Sequence, residues 1–123
     1  MTPEQIERNR EFLKDLRANQ KKVRKCMRSS GGGRCCLAVA LDSAIAQGYQ
    51  CPETWGDRAF LPPDDMAEDF YGWPGRSPML IGPDGVTKHH ADGWNDGKDC
   101  QELSHAEIAD AFERTFPELK QAP

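Results

Sequence analysis

Apolar residues recur through the first quarter of the chain at Ile6, Leu13, Leu16, Val23 and Met27, with Phe12 beside them and polar residues between. Positions three, four or seven apart share one face of a helix, so this spacing predicts an amphipathic helix. Its start is marked by Thr2-Pro3-Glu4-Gln5, where Thr2 can cap, proline suits the first helical position and Gln5 completes a capping box. Nothing interrupts the pattern before Ser29-Ser30-Gly31, which predicts a long helix over about residues 3–28. After Gly31-Gly32-Gly33 the pattern tightens. Leu37, Leu41 and Ile45 form a stripe flanked by Ala38, Ala40 and Ala44, which predicts a buried helix over 35–47 with Asp42 either at its exposed edge or paired.

Irregular chain is expected from Gly48 to Phe60, anchored by Trp55 and Phe60. Leu61-Pro62-Pro63-Asp64-Asp65 then opens a short helix that buries Met66, Ala67 and Phe70 and stops near Gly72. Met79-Leu80-Ile81 and Val86-Thr87-Lys88 flank Gly82-Pro83-Asp84-Gly85, a type I turn sequence, and predict a two-stranded hairpin. Ser104-His105-Ala106-Glu107 is a second capping box, opening a helix with Ile108, Ala111, Phe112 and Phe116 inward. The fold class is α+β: a single, mainly helical domain over 1–123, with four helices, a long N-terminal one over 1–30, a compact body over 31–123 and a small hairpin.

Charge changes this picture. Residues 1–34 carry ten Lys/Arg against four Asp/Glu, and residues 35–123 carry six against sixteen, so a basic first segment meets an acidic remainder. Within the first helix the acids lie early and the bases late, the order that the helix dipole favours. Arg17, Lys21, Arg24, Lys25 and Arg28 could contact a partner or phosphates, or dock on the acidic body. No apolar run approaches the roughly 18 residues of a membrane span, and the first residues lack a signal-peptide core, so a cytoplasmic protein is expected.

Five cysteines, Cys26, Cys35, Cys36, Cys51 and Cys100, are an odd number and read as reduced thiols. With His89, His90 and His105 they show no metal-ligand spacing, and no metal or cofactor is implied. Chemistry could still gather where Gly33, Arg34, Cys35 and Cys36 enter the second helix. A thiol at a helix N-terminus feels the positive end of the dipole, which favours the thiolate, and Cys35 or Cys36 with His105 as base would suit a thiol-dependent hydrolase or transferase. Backbone N–H groups from Gly33 to Cys36, with Arg34 and with Asp42 nearby, could equally hold a small anion. The plainer alternative, two small buried hydrophobes behind a flexible linker, is favoured. Asp92-Gly93-Trp94-Asn95-Asp96-Gly97 partly follows a calcium loop, but Trp94 and Leu103 occupy its third and twelfth positions, so a tight turn with Trp94 inward is expected instead.

Cys35-Cys36-Leu37, Val39 and Asp42, followed by Leu61-Pro62-Pro63, Asn95-Asp96-Gly97 and Glu107-Ile108-Ala109-Asp110, resemble a group of small uncharacterised proteins encoded by phages and prophages. That group runs Cys-Cys-Leu-Gly-Val, Leu-Pro-Pro, an Asn-Asp turn and a Glu-Ile-Ala-Asp helix. The likeness covers roughly residues 34–115. Ala38 stands here where the pattern has glycine, and Leu41 where a third cysteine often falls. The resemblance implies a small α+β domain of phage origin and an accessory or host-interaction role in a bacterial cell. The expected function is therefore a non-enzymatic binding module for a host protein or small anionic ligand. The thiol enzyme is the first alternative, and a nucleic-acid-binding regulator using the basic end of the first helix is the second.

Overall fold

The computed structural model describes residues 1–19, 22, 34–52 and 61–120. Four α-helices, α1 (Pro3–Ala18), α2 (Cys36–Ala46), α3 (Ala91–Asp96) and α4 (His105–Thr115), are joined by a π-helical turn (Met66–Phe70), strands β1 (Met79–Ile81) and β2 (Lys88–His90) and a final 3-10 turn (Pro117–Leu119). The α+β, mainly helical class read from the sequence is the class observed.

Helix α1 starts as its capping box dictates. The Thr2 hydroxyl accepts the Gln5 N–H at 3.1 Å while the Gln5 side chain accepts the Thr2 N–H at 2.8 Å. It ends much earlier than the apolar spacing predicts, at Ala18, with Asn19 already extended. Lys22 lies in an isolated parallel bridge with Arg34 and not in a helix. The predicted residues 23–28 of that helix lie outside the described residues, as do Trp55 and Phe60.

Helix α2 is the centre of the molecule, with every residue from Cys36 to Leu41 buried. It shares one core with Phe12, Leu13 and Leu16 from α1, Ile108 and Phe112 from α4, and Tyr71 and Trp73 from the segment after the π-helical turn. Tyr71 and Trp73 stack with ring centroids 4.8 Å apart, and Phe112 meets Phe12 edge-on at 5.2 Å, geometries favoured by the ring quadrupoles. Ile45, expected on the buried stripe, is 44% exposed because α2 emerges from the core over its last turn.

The segment after Pro62-Pro63 buries Met66 and Ala67 as expected but winds as a π turn, with the Tyr71 N–H reaching back to the Met66 carbonyl. Phe70 stays partly exposed beneath the Arg8 guanidinium, which lies 4.5 Å above its ring. In the hairpin, Met79 faces His90 and Ile81 faces Lys88, so the second strand begins two residues later than predicted. The cause is Asp84: its carboxylate accepts the N–H groups of Val86 and Thr87 at 2.9 and 2.8 Å and the Thr87 hydroxyl, which draws those residues into the turn.

Trp94 packs inward as expected, but its loop is the helix α3, closed by Gly97 at φ 72°. Its indole N–H donates to the Leu80 carbonyl at 2.9 Å, and the ring covers Gly82, where an added Cβ would lie 2.4 Å from Trp94 Cη2. Trp94 cannot retreat without losing that bond. Gly82→Ala is therefore expected to cost about 2–3 kcal/mol by overpacking. Gly75, where an added Cβ meets nothing within 4 Å, should tolerate alanine within about 0.5 kcal/mol. Urea unfolding of both variants checks this, and equal losses would reject the packing argument.

Candidate functional site

The cysteine pair sits where α2 begins. Cys35 is the N-cap residue, with extended backbone angles, and its carbonyl accepts the N–H groups of Ala38 and Val39 at 3.1 Å each. Cys36 is the first helical residue, and its N–H, one of the amides a helix start leaves without an intrahelical partner, donates to Asn95 Oδ1 at 3.1 Å. Two motifs 59 residues apart, Cys-Cys-Leu and Asn-Asp, thus meet directly.

Dipole and burial oppose each other at the Cys36 thiol, and burial wins. The side chain is fully buried with Sγ 3.7 Å from the Ala91 carbonyl. Burial pushes this thiol well above its ordinary range, Cys35, Asp92 and Asp96 push it further, and Lys22 only partly offsets them. The thiol form is thus retained at neutral pH, the reverse of what a nucleophile needs. Cys35 is 6% exposed.

None of the histidines is shown paired with these thiols. His89 packs edge-on against Trp94 at 4.9 Å, and His90 Nδ1 lies 2.7 Å from the Ser77 carbonyl. His105, the base of the thiol-enzyme alternative, is buried with Nδ1 3.1 Å from the Asn19 carbonyl. Burial holds it below the ordinary imidazole range, helped by Lys22 and opposed by the carbonyls of Asn19 and Arg34. Cys100 Sγ contacts the Gly93 carbonyl at 3.6 Å, and burial raises this thiol too. Among the described residues no group of three or more His, Cys, Asp or Glu side chains could hold a metal ion. Nor is any helix among them long and apolar enough to cross a membrane.

The expected anion-binding residues are spoken for in another way. Arg34 Nε donates to Asp42 Oδ2 at 2.5 Å, so the carboxylate singled out in α2 is paired with the arginine singled out before it. Gly33 lies outside the described residues, as do Lys21, Arg24, Lys25, Arg28 and Cys26. Arg17 bridges Asp110 and Glu113 of α4 at 2.8 Å each. Lys22 Nζ donates to the Asn95 and Leu103 carbonyls at 2.7 and 2.8 Å and reaches Glu102 at 2.6 Å. Arg17, Lys22 and Arg34 therefore all grip the acidic body of this chain.

An open feature that sequence reasoning missed lies along α1. A groove of about 690 Å³ runs between α1, Glu113 and the final 3-10 turn, floored by the buried Leu13 and Leu119. Glu7, Glu11, Lys14 and Lys120 give its rim charges of both signs. Arg10 closes one end by donating to the carbonyls of Glu118, Leu119 and Lys120 at 3.0 to 3.2 Å. No local motif announces it, because its two walls are about a hundred residues apart in the chain. Comparison of the chain with protein-family models, curated proteins and solved structures finds no match.

Proposed function

We propose that this chain is an accessory or host-interaction protein of the phage type that works as a binding module, docking a host protein through the groove between α1 and the C-terminal turn. The observation that carries this reading is the mixed sign of Glu7, Glu11, Lys14 and Lys120 around that groove. A rim of mixed sign suits another protein surface, where complementary charges steer the encounter and set register. It offers a small anion no concentrated positive field, since Glu7, Glu11 and Glu113 offset Arg10, Lys14, Arg17 and Lys120. Burial of both thiols of the cysteine pair supports a non-enzymatic role. The direct contact of Cys36 with Asn95 supports the resemblance to the phage-encoded group, because two separated parts of its pattern join in space.

The test is native mass spectrometry of the protein purified gently from bacterial lysate, with Lys14→Glu/Lys120→Glu as the variant. The expected result is a retained protein of defined mass, lost at least tenfold in the variant while its thermal unfolding stays unchanged. A retained small anion, or protein binding indifferent to the charge reversal, would overturn the reading.

A further inference from the structure

We propose that His105 is an acid-operated latch between the end of α1 and the start of α4: the neutral ring holds the junction closed and its protonation loosens it. The inference rests on the junction's geometry and is independent of what the groove binds.

His105 is the first residue of α4 and is 4% exposed. Its Nδ1 lies 3.1 Å from the Asn19 carbonyl, an acceptor only, so the proton of the neutral ring sits on Nδ1. Nε2 is then bare, and among the described residues it is buried without a well-formed hydrogen bond, with the Arg34 carbonyl near enough to the ring to favour a charge on it. The ring reaches from α4 to the residue that ends α1, beside the Lys22–Arg34 bridge. The imidazole thus joins the end of α1 to the start of α4 across 86 residues of chain.

The surroundings select the neutral form. Among the described residues the charged groups at the junction are Arg17 on α1, Lys22 and Arg34 on the bridged segments, Glu102 in the preceding loop and Glu107 on α4 itself. Glu102 is drawn to Lys22 at 2.6 Å, and Glu107 holds the Ser104 N–H at 2.9 Å. The backbone carbonyls of Asn19 and Arg34 favour a charged ring, whereas burial and Lys22 oppose it, and the opposition prevails. The positive end of the α4 dipole acts in the same direction. Protonation would add a buried cation beside an ammonium at a helix start, with a new N–H on Nε2.

A histidine whose folded pKa lies below its ordinary value of 6.5 gives the unfolded or opened state more bound protons in the interval between the two. Its contribution is complete above about 6.5 and is lost as the pH falls through the folded value. Opening should grow by up to about tenfold per pH unit between about 6.5 and the folded value, and level off below it.

The experiment is hydrogen–deuterium exchange of the full chain between pH 7.5 and 4.5, corrected for intrinsic exchange, together with an NMR titration of the three histidines. Protection of amides at Asn19, Lys22, Arg34 and the first turn of α4 should fall several-fold more than that of α2, with His105 titrating below 6.5. His105→Gln keeps a donor toward Asn19 but cannot titrate, and should abolish the selective loss. A His105 midpoint at or above 6.5 in the wild-type protein would overturn the proposal, as would the same selective loss in the variant. The titration needs no variant, so it decides the matter even if His105→Gln fails to fold.

Discussion

Asn9→Ala is expected to lower stability by about 3–4 kcal/mol, the loss for two buried polar groups left without partners. Asn9 is fully buried on α1, and its carboxamide is completely used. The two Nδ2 hydrogens go to the carbonyls of Gln5 and Tyr71 at 2.8 Å each, and Oδ1 accepts the Trp73 indole N–H at 2.7 Å. The indole can only donate, which fixes the orientation of the amide. Alanine would strand the Trp73 N–H and the Tyr71 carbonyl inside the aromatic nest, away from water. Asn9→Leu should cost nearly as much despite filling the space. In an Asn9→Leu/Trp73→Phe pair, however, the stranded indole donor disappears, and about 1 kcal/mol or more should return as a coupling energy. Urea unfolding of the four proteins measures it. A loss below 1 kcal/mol for Asn9→Ala, or strict additivity in the pair, would show that the network is not the clamp described.

Where the sequence could be read, the determinants were local. The starts of α1 and α4 are written within four residues by Thr2–Gln5 and Ser104–Glu107, and both boxes form. Helix α2 was legible because Leu37, Leu41 and their alanine neighbours leave no polar face. The failures were set from afar. Helical spacing continues through Val23 and Met27, yet α1 stops at Ala18; the Asn19 carbonyl meets a histidine 86 residues away and Lys22 meets a carbonyl 73 residues away. Helix α3 was invisible for the same reason. Gly93, Asn95 and Asp96 are weak helix formers, and what holds them is tertiary: the Trp94 bond to Leu80 and the Asn95 bond to Cys36.

The candidate site shows the same division. A thiol at a helix start and an arginine beside it are plain in the sequence, and the helix dipole does favour the thiolate there. The burial of Cys36 beneath α3 is set from afar; it outweighs the dipole and makes the pair part of the core. A lone carboxylate in an apolar helix implies a partner or an exposed edge, and the pairing of Asp42 with Arg34 removes the cation that would have drawn an anion to the glycine loop.

Lys22→Met is the substitution that should most clearly separate docking on the chain's own body from docking on a partner. In a basic run a lysine is ordinarily a solvated charge worth little to stability. Here the Lys22 side chain is 15% exposed and its three N–H groups meet the carbonyls of Asn95 and Leu103 and the Glu102 carboxylate. The Asn95 carbonyl belongs to the last turn of α3, where a cation also opposes the negative end of the helix dipole. Methionine would keep the aliphatic stem and remove all three donors. We expect a loss of about 2–4 kcal/mol, because two buried carbonyls lose a charged partner. Glu102→Gln, at a side chain 41% exposed, should cost no more than about 1 kcal/mol. Lys22→Arg should not restore full stability, since a planar guanidinium cannot point three donors at acceptors arranged around a single nitrogen. Loosening α3 also frees Asn95, whose Oδ1 holds the Cys36 N–H, so alkylation of Cys36 under native conditions should quicken in Lys22→Met in step with its lost stability. A variant as stable as wild type, with Cys36 still protected, would show that Lys22 is an ordinary surface cation and would return the basic segment to the list of partner-binding surfaces.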